Sequence, residues 1–143
     1  MAGSKTGIIL DSGPLVAYLA SDEQHHDWAT AQFKKFDGAV ITCEAVISEA
    51  WFLLRHSPKH LRRLQAMLAD GVFDLRFHLE DEAIEVRTLM DRYENVPMSL
   101  ADACLVRLSE IHSRIPVVTI DSDFLVYRRH GKQMIQIISP HGA

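Results

Sequence analysis

Apolar runs and helical patterns alternate along the chain, and this alternation predicts the fold. The continuous apolar run at residues 7–10 is typical of a strand that is buried on both faces. Similar runs predict strands at residues 39–42, 116–120 and 134–138, and a weak alternation at residues 72–77 indicates an edge strand. Strands that alternate with helices pair in parallel, so the pattern predicts an α/β fold, a three-layer α/β/α sandwich with a central, mainly parallel sheet.

Local start and stop signals predict six helices between these strands. Pro14 and Pro58 each suit the first turn of a helix, and Ser99 is a good N-terminal cap. Gly71 is expected to end one helix in the left-handed conformation. Three consecutive acids at residues 80–82 suit the first turn of another helix, where the dipole stabilises negative charge. The predicted helices are residues 12–19, 23–36, 43–55, 57–70, 80–93 and 99–113.

Length and composition narrow the classes of protein that fit. The 143 residues match one domain over residues 1–143, and 48% hydrophobic with 24% charged residues is ordinary for a globular protein. Cys43 and Cys104 are the only cysteines, so the sequence predicts no disulfide framework and a reduced, cytoplasmic setting. The first apolar run is interrupted by Asp11 and is too short for a signal-peptide core or a membrane span.

Four acidic residues fall where an α/β fold places its chemistry. Asp11 and Asp121 directly follow the first and fourth predicted strands. Functional groups of open parallel sheets gather outside the carboxyl ends of the strands, where the strand order reverses. Glu49 and Asp102 lie on predicted helices that neighbour this edge. A convergence of all four carboxylates is therefore the hypothesis that the sequence offers.

Each acid also has a structural explanation that involves no chemistry. Asp11 and Asp121 suit the turns that follow their strands, and Asp102 stands three residues after Ser99, as in a capping box. Glu49 borders the apolar stripe of its helix, and a solvated position at that border would explain it. These explanations stay open for each acid taken singly.

Taken together, the four acids indicate a divalent cation. Converging carboxylates repel one another, and they have no basic partner nearby in the sequence. Oxygen ligands without His or Cys suit Mg²⁺ or Mn²⁺ rather than zinc. The eight histidines do not change this, because Ser57-Pro58 interrupts any helix that would pair His56 with His60. An ion of this kind can activate water for attack on a phosphodiester.

Five segments of the chain follow one another in an order that one protein family also shows. They are IILDSGPLVA from residue 8, DEQHHDWA from residue 22, TCEAVISEA from residue 42, SLADA from residue 99 and VTIDSDF from residue 118. They resemble the opening segment, the second helix, the segment ending in the catalytic glutamate and the last two motifs of PIN-domain ribonucleases, the toxin class called VapC. Each motif alone is weak, whereas the five in order cover nearly the whole chain.

This resemblance implies an activity, a set of residues and partners. The implied catalytic acids, which would also bind Mg²⁺ or Mn²⁺, are Asp11, Glu49, Asp102 and Asp121. Asp123 would be an outer metal ligand, and Ser12 and Thr119 would be hydroxyl supports near the metal. The implied activity is endonucleolytic hydrolysis of single-stranded or loop RNA. The implied protein partners are a small antitoxin and a second copy of the chain.

Two surface features bear on these partners. With 15 Lys and Arg against 19 Asp and Glu, RNA would need local basic patches, for which residues 55–56, 59–63 and 128–132 are candidates. An ordinary solvated face is the alternative.

Apolar side chains at residues 51–54 exceed what one buried helix face needs, unless the helix is fully buried in the monomer. We expect a partner to lay an apolar helix on residues 51–54 and 61–68 and to direct an Arg or Lys toward the acids.

Three other functions fit parts of the pattern. A receiver-like phosphoacceptor domain would need an Asp after a middle strand and a Lys after a later one, and the sequence has neither at those places. A haloacid-dehalogenase-type phosphatase would need Asp-x-Asp, whereas Gly13 stands two residues after Asp11. A catalytically silent interaction module with the same fold stays open, and a metal-binding titration would distinguish it from an enzyme.

Overall fold

The computed structural model of the protein describes residues 7–142, and its centre is a parallel sheet. The strands of this part of the chain are β1 (Ile8–Leu10), β2 (Val40–Ile41), β3 (Phe73–Asp74), β4 (Val117–Val118), β5 (Arg128–Arg129), β6 (Gln133–Met134) and β7 (Ile137–Ile138). Five of them form the central sheet, in the order β3-β2-β1-β4-β7 and with every pair parallel. Ile9 in the central strand lies opposite Ile41 on one side and Val117 on the other. The predicted parallel pairing and the edge position of β3 are confirmed.

Helices connect the strands, and several of their predicted ends are confirmed. They are α1 (Ser12–Leu19), α2 (His26–Lys35), α3 (Glu44–Leu53), α4 (Pro58–Ala69), α5 (Ala83–Arg92), α6 (Leu100–Ile111) and a 3₁₀ helix (Ser122–Leu125). Ser57 Oγ accepts a hydrogen bond from the His60 N–H at 3.4 Å, and Gly71 follows α4 with a φ of 72°. Within residues 7–142 no helix is both long enough and apolar enough to cross a membrane.

Helices cover both faces of the sheet. Successive side chains of a strand point to opposite faces, so the central strands contribute to two apolar cores. Ile9 and Val117 pack with residues of α5 and α6 in one core. Ile8 and Leu10 pack with residues of α1, α3 and α4 in the other. The three-layer α/β/α sandwich expected from the sequence is therefore confirmed.

Two helices begin later than predicted. α2 begins at His26 rather than at residue 23, because the preceding residues form tight turns in which the Glu23 N–H bonds to Ala20 O at 3.0 Å. α5 begins at Ala83, so the three acids at residues 80–82 precede the helix instead of occupying its first turn. Glu82 is instead the N-terminal cap residue, and its side chain accepts a hydrogen bond from Arg107 Nε at 2.6 Å.

The prediction of one strand over residues 134–138 is wrong. Met134 belongs to β6, which pairs antiparallel with β5 in a separate two-stranded sheet, whereas Ile137 belongs to β7 in the central sheet. His130 and Gly131 have positive φ values of 50° and 73°, which folds the chain back tightly between β5 and β6. A basic, polar turn of this kind carries no apolar periodicity from which the hairpin could be predicted.

Candidate active site

Asp11 lies at the carboxyl end of β1, in the middle of the sheet edge. Its side chain is buried, at 5% exposure. Oδ1 accepts a hydrogen bond from the Ser12 N–H at 2.7 Å, and Oδ2 accepts one from the Thr119 hydroxyl at 2.7 Å. Burial, with smaller contributions from the charges of Asp102 and Glu49, raises the pKa of Asp11 to about 6 against the effect of these two hydrogen bonds. The structure therefore brings three of the predicted acids together.

Glu49 reaches this site from α3 through Ser12. The apolar positions Val46 and Ala50 are buried against the sheet, which leaves Glu49 half-buried at the border of that face. The Ser12 hydroxyl donates to Glu49 Oε1 at 2.8 Å, and the Ser12 N–H donates to Asp11. One serine in the first turn of α1 thus fixes two carboxylates from different elements.

Thr119 makes the corresponding connection to Asp121. Its fully buried hydroxyl donates to Asp11 Oδ2 and accepts a hydrogen bond from the Asp121 N–H at 3.0 Å. A second buried threonine, Thr42, donates to Leu10 O at 2.8 Å and so ties the end of β2 to the end of β1. Hydroxyl groups at the carboxyl ends of three strands therefore fix the backbone and the side chains around Asp11.

Asp102 faces the site from the first turn of α6. The expected capping box is present: the Asp102 N–H donates to Ser99 Oγ at 3.0 Å, and the Ser99 N–H donates to Asp102 Oδ2 at 3.3 Å. Burial raises the pKa of Asp102, the hydrogen bonds from Ser99 and Tyr127 oppose this, and the charge of Asp121 adds to the increase. Asp102 therefore caps its helix and also faces Asp121.

Asp121 and Asp123 lie at the start of the 3₁₀ helix. Asp121 is its N-terminal cap, and Asp121 Oδ1 accepts a hydrogen bond from the Asp123 N–H at 2.9 Å. The turn explanation for Asp121 is therefore correct, and the same residue stands close enough to Asp102 to affect its pKa. Both Asp121 and Asp123 are half-buried. Asp123 joins the group through its backbone N–H.

Tyr127 is a member of the site that the sequence analysis did not identify. Its hydroxyl donates to Asp102 Oδ2 at 3.1 Å. Burial, followed by the charge of Asp102, raises the pKa of Tyr127, so the hydroxyl keeps its proton and acts as a donor. A buried tyrosine needs a partner for its hydroxyl, which is the one signal that the segment FLVY offered. Nothing in the periodicity indicated that this partner would be Asp102.

The donor set fits a hydrated divalent cation. Among the described residues, none of the four predicted acids forms an ion pair with a basic side chain. One oxygen each of Glu49, Asp102 and Asp121 accepts no hydrogen bond from residues 7–142. No three His, Cys, Asp or Glu side chains in this part of the chain are arranged to hold one ion by themselves. Mg²⁺ commonly uses one or two carboxylates and keeps several waters, so this arrangement suits it.

The predicted basic patches are partly used within the fold. Arg128 Nη1 donates to Leu125 O at 2.7 Å, and Arg129 Nη1 donates to Ser113 O at 2.7 Å. Arg63 Nη1 similarly donates to Leu19 O at 3.0 Å. These guanidinium groups stabilise loop and helix ends in the free protein.

Apolar surface is concentrated on α3, beside Glu49. Trp51, Phe52 and Leu53 are 40%, 59% and 55% exposed. A cavity of about 590 Å³ is lined by Glu44, Ile47, Ser48, Trp51, Phe52, Arg55, Leu68 and Leu75. A second cavity, of about 450 Å³, is lined by Ser48, Glu49, Phe52 and Leu53. Apolar surface therefore continues up to one of the acids.

Comparison with known proteins places this geometry in a family. The chain matches the family model for the PIN domain over residues 8–129. Its structure is similar to VapC20 of Mycobacterium tuberculosis, a toxin that cleaves the sarcin–ricin loop, with 18% identity, a TM-score of 0.71 and coverage of 81% of this chain and 91% of that one. It is also similar to a chain of a toxin–antitoxin complex from Klebsiella pneumoniae, with 16% identity, a TM-score of 0.66 and coverage of 95% and 99%. A search of curated proteins gave no match. The two solved structures support the fold, and the match to the family model, which spans most of the chain, shows that the protein belongs to the PIN-domain family.

Proposed function

We propose that this protein is a Mg²⁺- or Mn²⁺-dependent endoribonuclease and the toxin of a toxin–antitoxin pair. The observation that carries the proposal is the group of four acids at the carboxyl edge of the sheet. Ser12 and Thr119 connect three of them, Asp11, Glu49 and Asp121, and the charge of Asp102 acts on Asp11. Membership of the PIN-domain family supports a nuclease. The similarity to one toxin and to one toxin–antitoxin complex supports the biological role.

In this proposal the acids hold the ion and the hydroxyl groups hold the acids. The residues that would hold the hydrated ion, directly or through its waters, are Asp11, Glu49, Asp102 and Asp121, with Asp123 as an outer ligand. The bound ion would supply a water of lowered pKa and would neutralise charge on the phosphate. Ser12 fixes the Glu49 carboxylate and Thr119 fixes that of Asp11, so the acids are oriented before RNA arrives. Hydrolysis by in-line displacement would leave a 5′-phosphate and a 3′-hydroxyl.

The test is RNA cleavage by the purified protein with Mn²⁺ or Mg²⁺, with and without a chelator. We expect cleavage that the chelator abolishes, and the loss of both cleavage and Mn²⁺ binding in Glu49→Gln. The matched control is Glu44→Gln, the same change at an exposed position of the same helix, which should cleave at the wild-type rate. A wild-type protein that neither cleaves RNA nor binds Mn²⁺ would favour the silent interaction module instead. Sequencing the cleaved ends of total RNA would identify the target.

The antitoxin of this proposal covers the apolar surface of α3. Trp51, Phe52 and Leu53 are available to it, whereas Leu54 and Leu64, which lie within the segments expected to contact the partner, are buried in the monomer. A helix placed on the exposed residues would stand beside Glu49 and could direct an Arg or Lys toward the acids. The partner to test is a small protein encoded beside this gene. Phe52→Ala should weaken its binding at least tenfold, whereas Ile84→Ala, at an 80% exposed position of α5, should not.

Four further expectations from the sequence stay predictions. They are a single domain over residues 1–143, a cytoplasmic location, binding of single-stranded or loop RNA, and a homodimer. Light scattering of the purified protein would decide the last. The basic residues proposed for the RNA path are now the exposed Lys59, Arg62 and Lys132, because Arg63, Arg128 and Arg129 already bond to the protein's own carbonyl groups.

A further inference from the structure

We infer that Tyr127 is a positioning residue of the nuclease site. Its hydroxyl holds the Asp102 carboxylate by Oδ2 and leaves Oδ1 for a cation. The inference rests on the proposed function and adds to it a residue outside the acidic group. The orientation of the Asp102 carboxylate then depends on a tyrosine that follows the 3₁₀ helix as well as on the capping box at the start of α6.

The hydrogen bonds of Asp102 are distributed unevenly between its two oxygens. Oδ2 accepts from the Tyr127 hydroxyl at 3.1 Å and from the Ser99 N–H at 3.3 Å. Oδ1 accepts from no group in the described part of the chain. Two donors on one oxygen fix the rotation of the carboxylate, and the other oxygen keeps both lone pairs. In metal sites, outer partners of this kind set the orientation and the basicity of the ligating oxygen.

Tyr127 is itself held firmly. Its side chain is 0% exposed, and its ring packs edge-to-face against Tyr93 and Phe124 with centroid distances of 5.1 and 5.2 Å. The Tyr127 N–H donates to Asp123 O at 3.1 Å, so its backbone completes the turn that begins at Asp121. The position of the hydroxyl is therefore determined by the same segment that carries two of the acids. Through this hydroxyl, the segment after β4 fixes a carboxylate on α6.

The test compares two substitutions that each remove one hydroxyl from a ring. Tyr127→Phe keeps the edge-to-face packing and removes the bond to Asp102. Tyr93→Phe removes the hydroxyl that accepts from the Arg128 N–H at 2.8 Å and that bonds to no carboxylate. In Tyr127→Phe we expect kcat for RNA cleavage to fall about tenfold and the Mn²⁺ affinity of the RNA-free protein to fall about tenfold, the lower end for an outer partner of a ligand. KM for RNA should change less than twofold, and Tyr93→Phe should leave all three constants within twofold of wild type.

A purely structural role predicts a different result: a lower unfolding temperature with unchanged kcat and Mn²⁺ affinity. That result in Tyr127→Phe, with an active wild type, overturns the inference and leaves the proposed function standing. A wild type that neither cleaves RNA nor binds Mn²⁺ overturns both. If Tyr127→Phe does not fold, NMR of the wild type decides, because a buried, bonded hydroxyl proton exchanges slowly with water. We expect that slow signal in the wild type and its loss in Asp102→Ala, and its absence from the wild type overturns the inference.

Discussion

The two halves of the acidic site are built differently. In the half formed by β1, α1 and α3, Asp11 is buried, and both of its oxygens accept hydrogen bonds from the protein. In the half formed by the 3₁₀ helix, Asp121 and Asp123 are half-buried. Among the described residues, the Asp123 N–H is the one group that donates a hydrogen bond to either carboxylate, and it donates to Asp121 Oδ1. Asp11 is therefore fixed before any ligand binds, whereas water solvates part of the other half.

This difference bears on why the folded protein resists the ionisation of Asp11. The sequence suggested mutual repulsion as the reason why the acids would need a cation. In the structure, burial is the largest cause of the raised pKa of Asp11, and the charges of Asp102 and Glu49 add less to it. The acids are consequently not interchangeable: in Asp11, at the centre of the sheet edge, both carboxylate oxygens bond to the protein and burial opposes ionisation.

The largest effect is expected from Asp11→Asn on catalysis. The amide keeps the shape of the side chain and removes the charge at the centre of the site. We expect RNA cleavage to fall by more than about a hundredfold, which is the effect of losing one electrostatic group that stabilises the transition state. Single-turnover cleavage with Mn²⁺ is the measurement, and Asp27→Asn, at an exposed position of α2, is the control. A rate within tenfold of wild type would remove Asp11 from the catalytic acids.

The second prediction concerns the stability of the metal-free protein. Folding moves the pKa of Asp11 from 3.8 to about 6, so the folded state binds the proton more tightly and stability falls as the pH rises between these values. At about 1.4 kcal/mol per pH unit, the loss is about 3 kcal/mol, complete above pH 6 and absent below pH 4. The side chain of Asp11→Asn does not ionise, so this loss of stability disappears. The amide has one oxygen where the carboxylate has two, and the one hydrogen bond that it cannot accept costs about 1 kcal/mol.

We therefore expect Asp11→Asn to be more stable than wild type by about 2 kcal/mol at pH 7.5. At pH 4 the variant should be less stable by about 1 kcal/mol, since the wild-type carboxyl is then protonated. Urea unfolding in the presence of a chelator, at both pH values, measures the difference. A difference that does not change sign would mean that folding does not raise the pKa of Asp11 to about 6.

The third prediction ranks the two acids of the exposed half. We expect Asp121→Asn to lower the rate of RNA cleavage about a hundredfold and Asp123→Asn to lower it not more than tenfold. The reason is that the Asp121 carboxylate is near enough to raise the pKa of Asp102 and accepts the Asp123 N–H, whereas the Asp123 carboxylate accepts no hydrogen bond from the described residues. The two variants are matched controls for each other, because both change an Asp of the same 3₁₀ segment. Equal losses would make Asp123 a ligand of the same rank.

Much of the site could be predicted because the signals are local. Asp11 and Asp121 follow buried strands directly, and parallel strands bring their carboxyl ends to one edge of the sheet. Ser99 and Asp102 have the spacing of a capping box, and Gly71 ends a helix in the left-handed conformation. For these residues a few neighbours in sequence determine the conformation.

The rest depends on contacts between residues that are distant in sequence. The bond from Tyr127 to Asp102 joins residues 25 positions apart, and its donor lies in a segment without periodicity. The hairpin of β5 and β6 is fixed by a similar contact, since the His130 N–H donates to Glu110 Oε2 at 2.6 Å, 20 positions away. Both residues of β6 are exposed, so burial does not alternate along this strand. Tertiary contacts of this kind leave no local pattern in the sequence.

An effect well below that of Asp11 or Asp121 is expected at Thr119, the residue that connects the two halves. Thr119→Val keeps the shape of this buried side chain but can neither donate to Asp11 Oδ2 nor accept from the Asp121 N–H. We expect about a tenfold loss of kcat, with Thr119→Ser within about threefold of wild type because it keeps the hydroxyl. Thr88→Val, which removes a hydroxyl that bonds to Ile84 O on the exposed face of α5, is the control. Combining Thr119→Val with Asp123→Asn then tests whether the halves act as one site. If Thr119 couples them, the two losses will not add, whereas additive losses would mean that the buried acid and the exposed acids work independently.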